Sequence, residues 1–144
     1  MEWLLVIIMA DPTYYLDING LSKHIGGSDY DYNEVNPGIG ITRETEKDKV
    51  VKALMAGVYQ NSFEDPSAYL GGHIARRFGD DYYLDLGLSG GLITGYEDNP
   101  VTPMAAIMAQ LGKKDLGRLK FQYVPSIEAK QPALLMMNLG IPFE

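Results

Sequence analysis

The chain of 144 residues contains no cysteine. Disulfides and thiolate metal sites are therefore excluded, although this says little about compartment. It has two histidines, and no HxxxH pattern joins them, so no metal site is indicated. Positive charge is scarce: 12 Lys and Arg face 19 Asp and Glu, for a net charge of −7. The cations form no stripe, which argues against nucleic acid as a partner. Long apolar runs are also missing. Residues Trp3–Ala10 are apolar but too few to cross a membrane as a helix. Two readings of them stay open: the core of a secretion signal, or a first strand or apolar arm. The n-region of such a signal would hold Glu2 and no Lys or Arg. No convincing long helix appears, and no cofactor is implied.

What remains is a chain of the right size for one domain, residues 1–144. It is rich in glycine (16) and tyrosine (10), residues that mark bends or close approach in strands and suit strands or water–lipid interfaces. Turn signals divide it into Tyr14–Ile25, Gly38–Glu44, Lys49–Ser62, Ala68–Phe78, Tyr82–Tyr96, Pro103–Leu111, Leu116–Val124 and Ala133–Phe143. Seven of these read as clear strands, with the N-terminal run or a split strand supplying an eighth. The spacing predicts an all-β, antiparallel, up-and-down barrel of about eight strands.

The two faces of these segments differ. In Tyr82–Tyr96 the even positions are mostly bulky and apolar, while the odd ones are mostly Gly, Ser and Asp. Alternation across a strand puts these sets on opposite faces. A small, polar face suits a crowded barrel interior, and the bulky face then suits lipid. Leu116–Val124 repeats the pattern, with Leu119, Phe121 and Tyr123 against Arg118, Lys120 and Gln122. Ala133–Phe143 has Leu134 and Met136 on its second face, which predicts burial on both sides. Tyr14, Tyr82 and Tyr96 fall where an aromatic girdle would lie. The competing reading is a soluble barrel whose bulky face is its core.

Several blocks, in order from about Tyr14 to Phe143, resemble the lipid A palmitoyltransferase family of eight-stranded outer-membrane barrels. "DYNEVNPGIGI" is similar to its Tyr-Asn-Glu segment, and "AGVYQNSF" falls where the family has a strand ending in Lys-Asp-Ser. "LGLSGGLITGY", "FQYVP" and the closing strand are also similar. The resemblance implies an outer-membrane location, a lipid or acyl chain as partner, and acyl transfer through a Ser, an Asp and a His. The family's Asp-Ser pair maps onto Asn61-Ser62. Its Trp-His-Ala-Arg-Phe block maps onto Leu21-Ser22-Lys23-His24-Ile25. Ungapped, Ser22 takes the histidine position, and His24 lies on the same face about 7 Å further along.

Asn61 cannot accept a proton as a carboxylate can, though its amide can donate to an oxyanion. Catalysis altered or lost is one outcome, and a turn cap at Asn61-Ser62 is another. Gly71 or Gly72 corresponds to the interior floor, where a side chain would shorten the acyl site. His73 and Arg77 share a face and are expected either to meet Asp85 in an interior network or to contact substrate. Arg76-Arg77 suggests a lipid phosphate at the rim. Asp29, Asp31 and Glu34 are read as solvated loop carboxylates. "GIGITRE" is followed by no helix, so it is no phosphate loop. The rival functional class is a non-enzymatic structural or binding barrel with protein partners, in a virion or envelope assembly.

Overall fold

Strict two-residue alternation over runs of eight to fourteen residues builds strands that need each other's edges, and here the edges close. The computed structural model describes residues 12–25, 35–61, 65–95, 101–125 and 133–143, without the side chains of 24, 25 and 133. Eight antiparallel strands form one closed barrel in chain order, β1 pairing with β8. They are β1 (Thr13–Ile25), β2 (Val35–Lys47), β3 (Val50–Gln60), β4 (Pro66–Gly79), β5 (Tyr82–Ile93), β6 (Thr102–Lys113), β7 (Gly117–Val124) and β8 (Ala133–Phe143). Closure removes the unpaired edges that an open sheet would expose.

Three connections are tight and lie at one rim, hereafter the turn rim. Asp48 and Lys49 join β2 to β3 with φ of 54° and 66°, the left-handed pair that matches strand twist in a two-residue hairpin. Lys49 also donates to Asp80 in the β4–β5 turn, tying two of these connections together.

The sequence reading needs adjustment at several places. The eighth strand is β6, Thr102–Lys113, so no contribution from residues 1–11 is required. β3 stops at Gln60, and Asn61 belongs to the turn that follows. β5 stops at Ile93, short of Tyr96. Strand β8 is not buried on both sides: Leu135, Leu139, Ile141 and Phe143 are exposed on its outer face.

The sidedness decides between the two barrel readings. Outward positions carry aliphatic side chains all round the wall, including Ile18, Ile39, Leu70, Leu88, Ile107, Leu119 and Leu139, all exposed. Leu70 is 63% and Leu88 61% exposed. The inward positions hold most of the buried polar and charged groups, and among the described residues the buried apolar side chains that cluster inside are Val51, Ala75 and Met108. A soluble barrel whose bulky face is its core would have the opposite arrangement. Eleven-residue strands such as β3 and β8, rising about 3.4 Å per residue and tilted about 40°, span roughly 26 Å along the barrel axis.

Glycines on the inner face make room for tyrosines. A Cβ added at Gly57 would lie 2.6 Å from Cζ of Tyr69, and one at Gly40 would meet the Tyr69 hydroxyl. Gly112 stands in the same relation to Tyr83.

Candidate functional site: the barrel lumen

The lumen has two layers. Toward the turn rim, inward positions of five strands bring charged groups together. Glu44 of β2 is the centre. It accepts from Nη1 of Arg118 on β7 and, at 3.1 Å, from Nη2 of Arg77 on β4. Nε2 of Gln110 on β6 lies 3.4 Å away, and Nε2 of His73 3.5 Å. Arg77 also grips Asp85 of β5 with two bonds, Nε to Oδ1 at 2.8 Å and Nη2 to Oδ2 at 2.9 Å. Gln110 donates to the same Asp85 Oδ2 at 2.7 Å.

Two aromatic rings, Tyr15 and Tyr83, close the layer on its turn-rim side. The Arg77 guanidinium stacks 3.7 Å from the Tyr83 ring, and that of Arg118 lies 3.7 Å from Tyr15. Asp17 accepts from the Thr42 hydroxyl and lies 3.9 Å from Arg118. Lys120 approaches His73 Nδ1 at 3.1 Å and Met55 Sδ at 3.2 Å. Arg77, Arg118 and Lys120 thus balance Asp17, Glu44 and Asp85 in number, as buried charges require. This layer blocks the lumen, so the barrel is not an open pore.

Toward the opposite rim the lumen opens into a chamber of about 120 Å³. Its walls include Met55, Met104, Met136, Tyr59, Tyr69 and Leu134. Its lower part is polar and internally bonded. Gln122 donates to Ser89 at 2.7 Å, Asn138 to Asn19 at 3.1 Å, and Asn19 to the Tyr69 hydroxyl at 3.5 Å. The volume equals roughly ten water-sized spheres, close to that of a cavity that holds one benzene ring. It fits the end of an apolar chain rather than a whole lipid.

Of the residues singled out in the sequence, Arg77 and Asp85 meet directly, and His73 joins them through Glu44. All three sit in the charged layer. Gly71 faces inward and lines the chamber, whereas Gly72 has the outward parity of Leu70 and Ile74. The structure thereby selects Gly71 as the inward glycine. Arg76 points outward, away from Arg77.

Ser22 lines the chamber, and its hydroxyl donates to Asn36 Oδ1; Asn36 donates in turn to the Gln60 carbonyl at 3.0 Å. Strand β1 carries an irregularity between Asn19 and Leu21. Beyond it, Ser22 is opposite Met136 and His24 opposite Leu134.

Asn61 is fully buried at the end of β3. Its amide donates to Ser67 Oγ and the Gly95 carbonyl, each at 3.0 Å, while its Oδ1 accepts from the Asp65 amide at 3.1 Å. Ser62, Tyr96, Asp29, Asp31 and Glu34 lie outside the described residues.

The sequence reading missed Glu44 as the hub, did not single out Met55 and Met104, and took Met136 for part of a face buried under a second layer rather than a chamber wall. Parity was the available signal: Glu44 shares a face with Thr42 and Gly40, and Met55 and Met104 share faces with small or polar neighbours. Which inward residues meet across the lumen depends on how far the register climbs around the barrel, and no single strand shows that.

No protein-family model matches the chain, and no curated protein sequence does. Among solved structures, it is similar to the outer membrane protein Ail of Yersinia pestis, determined as a backbone structure in a phospholipid bilayer nanodisc. The TM-score is 0.52 at 11% identity, covering 92% of this chain and 100% of that one. A crystal structure of Ail, the attachment invasion locus protein of the same organism, gives a TM-score of 0.49 at 11% identity, covering 92% and 99%. The likeness to the nanodisc structure supports the barrel fold. It does not reach the palmitoyltransferase family, for which the resemblance rests on the sequence blocks alone.

Proposed function

We infer that this chain is an outer-membrane-type barrel that spans a lipid bilayer, with its blocked lumen holding an apolar chain end in the chamber. The observation that supports the first part is the continuous outward band of large aliphatics around a charged, self-compensated interior. Water would leave that band exposed, whereas hydrocarbon about 25 Å thick would cover it. The second part rests on the chamber, whose Met and Tyr walls adapt to a flexible apolar guest. Its charged floor would set how deep such a guest reaches.

Acyl transfer would need a base beside Ser62. Asn61 holds a turn with its amide, so the reading carried forward is binding without chemistry. Chain binding is tested by native mass spectrometry of the refolded protein with saturated fatty acids of graded length. Retention of one fatty acid, lost in Met104→Trp, is expected. No retention, or equal retention in the variant, contradicts chamber binding. Membrane insertion is tested by removing detergent. The folded chain should float with vesicles and precipitate without them. A folded, monodisperse barrel in plain buffer contradicts the membrane reading.

A further inference from the structure

The outward strand faces show a strong asymmetry of sign. Among the described strands they carry Lys23, Arg43, Lys47, Lys52, Arg76 and Lys113, and no Asp or Glu. The strand carboxylates Asp17, Glu44 and Asp85 are inside; Glu46 has Glu44's parity but is exposed at the end of β2, beside the turn. In a chain of net charge −7, this separation runs against the overall balance. Five of the six cations lie toward the turn rim, and only Lys23 lies toward the other.

Three of them form a nearly level row. The hydrogen-bonded row starting at Arg43 runs through Leu54, Gly72 and Gly90 to Ala105. Arg43 is four residues from the turn end of β2, and Ala105 is eight from that of β6. The row therefore climbs about one residue per strand, as tilted strands in a closed barrel must. Keeping level requires stepping back toward the turns at each strand, and staying on the outer face requires steps of two. Lys52 is two residues below Arg43's partner Leu54, and Arg76 is two below Lys52's partner Ile74. Arg43, Lys52 and Arg76 thus lie within roughly 5 Å of one height, on three adjacent strands. Ile41, Leu54 and Leu70 continue the apolar face above them. Lys113 continues the belt beside Tyr82, its Nζ 5.5 Å from the ring centroid.

We propose that the Arg43–Lys52–Arg76 row binds the phosphates of anionic phospholipids in the leaflet at the turn rim, holding the barrel's depth and orientation. The proposal rests on the membrane-spanning reading. Long basic side chains at the boundary of the apolar band lay their stems on hydrocarbon and place their charges among headgroups. Near an anionic surface each is worth about a fivefold preference, reduced by salt.

The test uses the full chain refolded into phosphatidylcholine vesicles, with insertion read first by flotation. Electron spin resonance then compares association of spin-labelled phosphatidylglycerol with that of spin-labelled phosphatidylcholine. A preference of about fivefold or more for phosphatidylglycerol is expected. It should fall close to one in Arg43→Gln/Lys52→Gln/Arg76→Gln, persist in Arg43→Lys/Arg76→Lys, and be unchanged in Lys23→Gln. If the triple variant does not insert, Lys52→Gln and Arg76→Gln must each lower the preference singly. No preference in the inserted native chain, or an equal one in these variants, overturns the proposal while leaving the membrane reading intact. Abolition by inorganic phosphate, but not by chloride of equal ionic strength, would mark a free-anion site and overturn the lipid assignment. Failure of the native chain to insert overturns both readings.

Discussion

Glu44 and Asn61 show how differently two polar residues are used within one wall. Glu44 is almost fully buried and offsets Arg118 and Arg77 together, with the His73 ring 3.5 Å away. Glu44→Gln removes the charge while keeping the shape, leaving two guanidinium groups competing for Asp17 and Asp85. A loss of about 3–5 kcal/mol in unfolding free energy is expected, as for other buried ion pairs broken on one side. Urea titration of the vesicle-inserted protein measures it, and a loss below about 1 kcal/mol would show that the layer does not depend on its hub.

Asn61 is used locally. Asn61→Asp restores the residue type that the palmitoyltransferase resemblance expects, but removes the two donors to Ser67 and Gly95 and brings a carboxylate to a carbonyl oxygen. If the residue is a cap, the variant loses about 1–3 kcal/mol and gains no transfer of labelled palmitate. If transfer appears, the turn is a damaged catalytic site.

At the scale of the strand, alternation carried most of the legible information. The outward and inward sets of β5 and β7 follow directly from the order of Leu, Gly, Asp and Ser, because each side chain's face depends only on parity. Strand ends were less legible. β3 and β5 both end earlier than their apolar pattern, since Asn61 and Thr94 turn to bond the start of β4. β8 misled for a related reason: Leu134 and Met136 are apolar because they line the chamber, not because a second layer covers the strand. The same parity yields a mutational contrast. Leu88→Arg, in the middle of β5, should destabilise the inserted barrel by about 2–4 kcal/mol, whereas Tyr82→Arg at the turn rim should cost about 0–1 kcal/mol. Equal costs at both positions would mean that the outer wall does not sense depth.

For the molecule as a whole, closure makes the two faces mean something. Eight strands enclose an interior just wide enough for side chains to fill; here glycine, tyrosine and paired charges fill half of it and a chamber occupies the other half. Of those partnerships, Arg77 with Asp85 was legible, because the two share inward parity on neighbouring strands; the others could not be read from spacing along the chain. They require the climb of the register, which places Glu44 of β2 beside Arg118 of β7, residues 74 positions apart. The outward face needed no such knowledge, which is why the barrel class was legible and the lumen's hub was not.

The central claim is that the outward residues face hydrocarbon. Because the native chain has no cysteine, Leu88→Cys and Ser89→Cys each give one uniquely labelled site on adjacent residues of opposite parity. The deciding measurement is nitroxide accessibility at these two sites in vesicles, comparing oxygen, which concentrates in hydrocarbon, with a water-soluble nickel chelate. The account expects Leu88→Cys to be open to oxygen and shielded from nickel, and Ser89→Cys to be shielded from both. Nickel reaching Leu88→Cys as freely as an aqueous label would contradict it, and the aliphatic band would then face something other than a bilayer.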